Sequence, residues 1–244
     1  MPLGVDEAGK GPVLGSMFAA AVWVPTRDRL PDGVTDSKRL TPDRRAALAA
    51  QLRADDTVEI GVAEITPREI DDPDTDMNEL AVEAHARALE AAADAVDGVR
   101  SSVHVRCDAC DTDADRFARR VAEACEFEVA FDSAAEAETD VEIEAQHGAD
   151  DDDPLVGAAS IIAKVERDAH VERLATEYAG DRRLEGHKTN GNGVGSGYPS
   201  DPTTRAFLEA YVAEHGDLPA CARRSWSTCD DVLAAAEQTS LDGF

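Results

Sequence analysis

The chain reads as an α/β protein: a mixed sheet flanked by helices, with a C-terminal helical extension. Two observations carry this reading. Near the start, two apolar runs are joined by a glycine-rich turn too short to hold a helix, so they can pair antiparallel. Farther on, strand-like and helix-length segments alternate, as parallel strands with helical crossovers require. The first strand covers 3–6, with Leu3 and Val5 apolar, and the second covers 17–24. Thr41-Pro42-Asp43 starts a helix, with Thr as cap and Pro at the first helical position, and Ala46, Leu48 and Leu52 continue it. Val58–Ile65 alternates with a period of two, the mark of a half-buried strand. An Ala-rich helix runs from Asn78 to Val96 and is closed by Gly98. Ser102–Cys107 is a strand with Asp108 at its end, Thr112–Cys125 a helix, and Phe127–Phe131 a strand. Val141–Glu144 alternates as a further short strand would. Four aspartates, 150 to 153, and Pro154 lead into a helix from Leu155 to about Tyr178. Glycines 186, 191, 193, 195 and 197 make an irregular loop, and helices over 203–214 and 228–237 follow. The expected division is an α/β domain over 1–200 and a helical extension over 201–244.

A chain of 244 residues that is 43% hydrophobic can bury a sizeable core. Its 24 Lys+Arg against 51 Asp+Glu give a formal net charge of −27. The acids are spread along the chain, which fits adaptation to a cytoplasm of molar salt better than an acidic interaction tail. At about 1 M salt the Debye length is roughly 3 Å and self-repulsion nearly vanishes. Nucleic acid is not excluded, because local charge decides phosphate binding. Basic residues gather at Lys10, Lys38-Arg39, Lys164 with Arg167, His187-Lys188 and Arg223-Arg224, mostly beside glycine, proline or serine. For Arg44-Arg45 and Arg182-Arg183, surface pairing with neighbouring acids is the preferred reading. The five cysteines are odd in number and suggest no secreted disulfide framework. Cys107 and Cys110 form a C-x-x-C, but no second such pair or matching His pair completes a zinc site, so they read as structural thiols. No run of about 18 apolar residues exists to span a membrane. The expectation is a cytoplasmic monomer.

The opening Gly4-Val5-Asp6-Glu7-Ala8-Gly9-Lys10-Gly11-Pro12-Val13-Leu14-Gly15 is the most informative stretch. In so acidic a chain a carboxylate pair is more often a solvated face than a ligand set. Here it ends an apolar strand and precedes a Gly-x-Gly turn, whose bare backbone N–H groups can approach a phosphate or hydroxyl. Carboxylates for a metal beside amides for an anion point to phosphodiester chemistry.

Further blocks follow in order: Asp36-Ser37-Lys38-Arg39-Leu40, Cys107-Asp108-Ala109, Ala149-Asp150 and Pro154–Asp168, Gly195-Ser196-Gly197-Tyr198-Pro199-Ser200-Asp201-Pro202, and Arg224-Ser225-Trp226. Together with the opening they resemble ribonuclease HII of the archaeal kind. The resemblance implies an RNase H-like fold with a mixed five-stranded sheet, and cleavage of the RNA strand in RNA–DNA hybrids. It also implies incision 5′ to single ribonucleotides embedded in duplex DNA, leaving 5′-phosphate and 3′-hydroxyl ends. Asp6, Glu7, Asp108 and Asp150 would be the catalytic metal ligands, taking two Mg²⁺ or Mn²⁺ ions that activate water and stabilise the leaving oxygen. Gly9, Lys10 and Gly11 would read the 2′-hydroxyl with their backbone, helped by Tyr198 stacked on the adjacent sugar. Lys38 is a candidate phosphate contact. Lys164 and Ser160, four residues apart on one helix face, form another, with tight helix packing the equal alternative for Ser160. The chain departs from the family at Lys10, where Arg is commoner. It departs again at Gly148, where Lys commonly stands, and at Asp152 and Asp153, where a basic and an aromatic residue are frequent. Asp111 competes with Asp108 for the third ligand, and the neighbours of Asp150 compete for the fourth. A junction resolvase of the same fold and a catalytically silent hybrid binder are the rival functions. The tail Thr239–Phe244 could dock on a sliding clamp, with a frayed terminus as the plainer reading.

Overall fold

The computed structural model describes residues 2–94, 103–125, 141–180 and 193–241. Five strands form one sheet: β1 (Pro2–Ala8), β2 (Met17–Trp23), β3 (Glu59–Ile65), β4 (Val103–Asp108) and β5 (Val141–Gln146), in the order β3-β2-β1-β4-β5. β1 pairs antiparallel with β2 and parallel with β4, and β4 pairs parallel with β5, so the sheet is mixed as expected. The α-helices of the described residues are α1 (Pro42–Ala54), α2 (Pro67–Ile70), α3 (Met77–Asp94), α4 (Ala114–Ala124), α5 (Ala149–Asp152), α6 (Pro154–Ala179), α7 (Pro202–His215) and α8 (Ser227–Leu241), and two short 3-10 helices cover Arg27–Arg29 and Ser37–Arg39. The strand expected over 127–131, the closing Gly98 and most of the glycine loop before residue 193 lie outside them. Among the described residues no helix is long and apolar enough to cross a membrane.

The caps follow the local chemistry. Thr41 accepts a hydrogen bond from the Arg44 N–H, and Pro42 opens α1. Thr66 and Glu69 make a reciprocal capping box on α2, a helix that the sequence reading left out although its Thr-Pro-Arg-Glu string carried the signal.

The chain forms two compact units. One comprises Met1–Ala8, Phe18–Glu64 and Met77–Glu166; the other comprises Gly9–Met17, Ile65–Asp76 and Arg167–Phe244. The division expected at residue 200 falls inside the last segment of the second unit. In the first unit, α1 and the apolar face of α6 (Leu155, Ala158, Ala159, Ile161, Ile162) bury the face of β2 that carries Ala20 and Val22. In the second, Phe207, Leu208 and Val212 of α7 pack with Leu14, Leu174, Cys229 and Val232.

Sheet register brings the candidate acids together at the C-terminal ends of β1 and β4. Parallel pairing sets Val5 of β1 opposite Cys107 of β4, so Asp6 and Asp108 occupy the next position on each strand. β4 in turn sets Asp108 opposite Gln146, the last residue of β5. Two residues later Gly148 turns in the left-handed region, φ 71°, and caps α5, which carries Asp150. The C-terminal ends of neighbouring parallel strands are where α/β sheets collect ligand sites.

Candidate active site

Asp6 is 4% exposed and its Oδ1 accepts a hydrogen bond of 2.7 Å from the Glu7 N–H. Burial pushes its carboxyl well above the usual range, and the charges of Glu7, Asp108 and Asp150 push the same way, against a hydrogen bond from Ser160. Asp108 is raised chiefly by burial, although its Oδ1 accepts 2.8 Å from the Ala149 N–H at the start of α5. Burial, Asp108 and Asp36 raise Asp150 to about 6, and Lys38 opposes them. The four predicted acids thus feel one another's charge, as only a gathered set can.

The four-aspartate run resolves residue by residue. Asp151 pairs with Arg39 at 2.8 Å, and Asp152 accepts 2.8 Å from the Gln146 amide. Asp153 is buried and receives both Arg27 nitrogens, at 2.8 and 3.0 Å, and Arg106 at 3.3 Å. Its Oδ1 also caps α6 at the Leu155 N–H. Burial opposes its charge, but these hydrogen bonds and guanidinium charges hold it below the usual range. Only Asp150 faces Asp6 and Asp108. Asp153 is thus a buried carboxylate held by two partly exposed guanidinium groups. Asp111, the competitor of Asp108, is bound by Arg116 through both oxygens and held down to about 2.

Lys38 brings a positive charge to the acids. Lys38 Nζ lies 3.8 Å from Asp150 Oδ2 and 4.0 Å from Asp36, on a side chain 76% exposed. Burial works against its ammonium, yet Asp36, Asp150, Asp6 and Asp108 together raise it. Asp36 caps the short 3-10 helix Ser37–Arg39 that carries it. Arg45, read from sequence as a surface-paired residue, is instead buried and donates to the Ser37 and Leu40 carbonyls, fixing the same loop. Ser160 is buried and its Oγ is hydrogen-bonded to Ser37 Oγ at 2.9 Å, so beside its contact with Asp6 it ties α6 to that loop and faces no solvent. Lys164 lies one turn later on α6, half-buried.

His85 of α3 gave no sequence signal, being one residue in an Ala-rich helix. It is completely buried and its Nε2 sits 3.0 Å from Glu7 Oε2.

In the second unit, Gly9 has φ 97°, and a Cβ there would lie 2.9 Å from Arg167 Cδ. Arg223 is completely buried and donates to three carbonyls of the glycine loop: Gly9 at 2.7 Å, Lys10 at 2.9 Å and Gly15 at 2.8 Å. The sequence motif around it was recognised without this role. Tyr198 is 47% exposed, and a Cβ on Gly11 would stand 3.6 Å from its ring, in ordinary contact. An exposed aromatic beside a glycine is not core filling.

Comparison with known proteins agrees with this geometry. The family model described as Ribonuclease HII matches residues 3–229. A ribonuclease HII of Haloarcula marismortui is 56% identical over 244 residues, covering all of both chains. The crystal structure of ribonuclease H2 from Pyrococcus horikoshii OT3 aligns with a TM-score of 0.76 at 34% identity, covering 97% of this chain and 99% of that one. The ribonuclease HII solved in complex with PCNA from Archaeoglobus fulgidus aligns with a TM-score of 0.72 at 33% identity, covering 95% and 96%. On its ordered motifs, its mixed five-stranded sheet and these matches, the chain belongs to the ribonuclease HII family and is an RNase H endonuclease.

Proposed function

We propose that this endonuclease hydrolyses the RNA strand of RNA–DNA hybrids and incises 5′ to single ribonucleotides embedded in duplex DNA, leaving 5′-phosphate and 3′-hydroxyl ends. The observation that carries the reading is the gathering of Asp6, Glu7, Asp108 and Asp150 by the C-terminal ends of β1 and β4, with Lys38 as a cation facing them.

The donor set fits hard divalent cations, Mg²⁺ or Mn²⁺. It consists of carboxylate oxygens, and Asp150 Oδ2 is buried without a hydrogen-bond partner. The raised carboxyl groups show how poorly the fold alone compensates their charge. Asp6, Glu7, Asp108 and Asp150 would hold the ions, two during catalysis. Bound there, such ions supply the Lewis acidity that activates water and stabilises a leaving 3′-oxygen. Lys38, exposed and charged, holds a phosphate oxygen of the substrate. Ser160 acts from beneath, keeping the Lys38 loop in place through Ser37. Lys164 contacts a phosphate farther along the strand.

Choice of substrate belongs to the backbone of Gly9, Lys10 and Gly11. With their carbonyls taken by Arg223 at residues 9 and 10, the loop is held in one conformation for its amides to meet a 2′-hydroxyl. Tyr198 stacks on the adjacent sugar. The Archaeoglobus relative solved with PCNA supports a sliding-clamp contact for the tail Thr239–Phe244. None of the five cysteines is in a disulfide, which suits a reducing cytoplasm, where the protein would act as a monomer.

The test is incubation in molar KCl, with Mg²⁺ or Mn²⁺, of duplex DNA carrying one ribonucleotide, beside an all-DNA duplex and the Asp6→Asn variant. A single cut 5′ to the ribonucleotide is expected, absent from the all-DNA duplex and reduced by orders of magnitude in the variant, whose hybrid binding persists. Equal cleavage by the variant would remove Asp6 from the chemistry.

A further inference from the structure

Glu7 belongs to two clusters. Besides the hard-oxygen set, its carboxylate meets His85 and Cys110, and one donor atom from each of the three lies within 4.8 Å of the other two. The closest pair, Glu7 Oε2 and His85 Nε2, is 3.0 Å apart. The three residues come from the end of β1, the body of α3 and the segment just after β4, so packing fixes their positions. The sequence offered no partner for the Cys107-x-x-Cys110 pair. The fold supplies one for Cys110 alone, while Cys107 is fully buried as a structural thiol.

An imidazole nitrogen, a thiol sulfur and a carboxylate oxygen form a set for borderline first-row cations. Mg²⁺, which takes oxygen ligands and keeps its waters, has no use for two of the three. Bond lengths of about 2.0–2.3 Å around a tetrahedral Zn²⁺ put ligand atoms roughly 3.3–3.8 Å apart, which these side chains reach by small rotations. His85 closes the back of the cluster, and Glu7 and Cys110, both half-buried, leave it open to solvent on their side. The Glu7 carboxylate, an acceptor, holds the proton on His85 Nε2, while Nδ1 is buried with no hydrogen-bond partner and can take that proton up when Nε2 turns to a cation. On binding, the imidazole proton moves to Nδ1 and the Cys110 thiol releases one proton to solvent. Three protein ligands leave a fourth position for water.

We propose that Glu7, His85 and Cys110 form a binding site for Zn²⁺ or a similar borderline cation, and that its occupation withdraws Glu7 from the hard-cation set and inhibits cleavage. The binding stands on the geometry of the three residues. The inhibition rests on the role given to Glu7 under Proposed function.

The experiment titrates the metal-free full-length protein with Co²⁺, whose absorption reports both four-coordination and thiolate ligation. Wild type should develop a sulfur-to-metal charge-transfer band. Cys110→Ser should lose that band, and Cys125→Ser, altering another half-buried thiol, should keep it. His85→Gln should weaken binding, and Cys110→Ser decides the matter if His85→Gln fails to fold. With Mg²⁺ in excess, micromolar Zn²⁺ should slow wild-type cleavage by about tenfold or more and leave Cys110→Ser unaffected. Absence of the band in wild type, or its persistence in Cys110→Ser, would overturn the site. Binding without inhibition would overturn its regulatory consequence. A Zn²⁺-free enzyme unable to cut ribonucleotide-containing duplexes would refute the functional reading alone, since the Co²⁺ titration decides the site independently.

Discussion

Asp150 shows what gathering carboxylates in one place costs the fold. Its carboxyl is 5% exposed, one oxygen lacks a hydrogen bond, and burial with the Asp108 and Asp36 charges raises it to about 6. A carboxyl raised in the folded state binds protons more tightly there than in the unfolded chain. Its contribution is therefore fully present below the ordinary carboxylate pKa and is lost as pH rises through about 6. Asp150→Asn removes the charge and so removes the loss. In chelator, the variant should melt a few degrees above wild type at pH 7–8, corresponding to about 1–2 kcal/mol, and the two should converge near pH 4. Cleavage should fall by orders of magnitude in the same variant. Thermal melts across that range check the sign: a gap that does not change with pH would mean Asp150 is not charged against its neighbours. Asp153, three residues on, is the counter-case, since Arg27 and Arg106 hold it low and its contribution is lost as pH falls.

At the scale of elements, the approach of α6 to β1 is set by Gly4. A Cβ there would lie 2.2 Å from the Leu155 carbonyl carbon and 2.4 Å from the Val156 nitrogen, both backbone atoms that cannot rotate away. Gly4→Ala should therefore cost about 2–4 kcal/mol or prevent folding, because β1 and the start of α6 must separate. Gly180→Ala is the control, its nearest neighbour being Glu177 O at 3.9 Å, and should change stability by less than about 0.5 kcal/mol. Denaturant midpoints of the two variants test the contrast; equal midpoints would show that α6 tolerates displacement. Elements of this kind were legible where local chemistry decides them. The apolar runs around the glycine turn, the Thr41-Pro42 start and the alternation of 58–65 each fall within two residues of the observed strand or helix ends. The acids were legible through the order of their motifs, and Asp150 through its distance to Pro154. Long-range partners were not. Nothing near Arg45 or Arg223 in sequence announces that a buried guanidinium will hold loop carbonyls, and His85 meets Glu7 only because α3 packs beneath the end of β1. Ser160 likewise gained its partner, Ser37, across more than a hundred residues.

For the whole molecule the governing quantity is the formal charge of −27. Several ion pairs, such as Arg224 with Asp217 and Arg39 with Asp151, lie near the surface, where each is worth about 0–1 kcal/mol. Such pairs cannot offset the repulsion among 51 acids. At low ionic strength the compact state concentrates that charge, and the unfolded chain relieves it. With the Debye length shortened to about 3 Å at 1 M, distant acids cease to interact while close pairs such as the buried Asp153 with Arg27, 2.8 Å apart, persist. The 56%-identical relative from Haloarcula marismortui fits a protein made for such conditions. The melting temperature should therefore climb steadily from about 0.1 M to 3 M KCl. Nucleic-acid affinity runs the other way, because phosphate contacts weaken as salt competes for them. Cleavage of a ribonucleotide-containing duplex should thus rise with KCl while folding is being gained and decline only after the protein is fully folded. Following circular dichroism and cleavage in the same KCl series separates the two effects. An unchanged melting temperature between dilute and molar salt would show that the acidic surface does not govern stability, leaving the salt response to substrate binding alone.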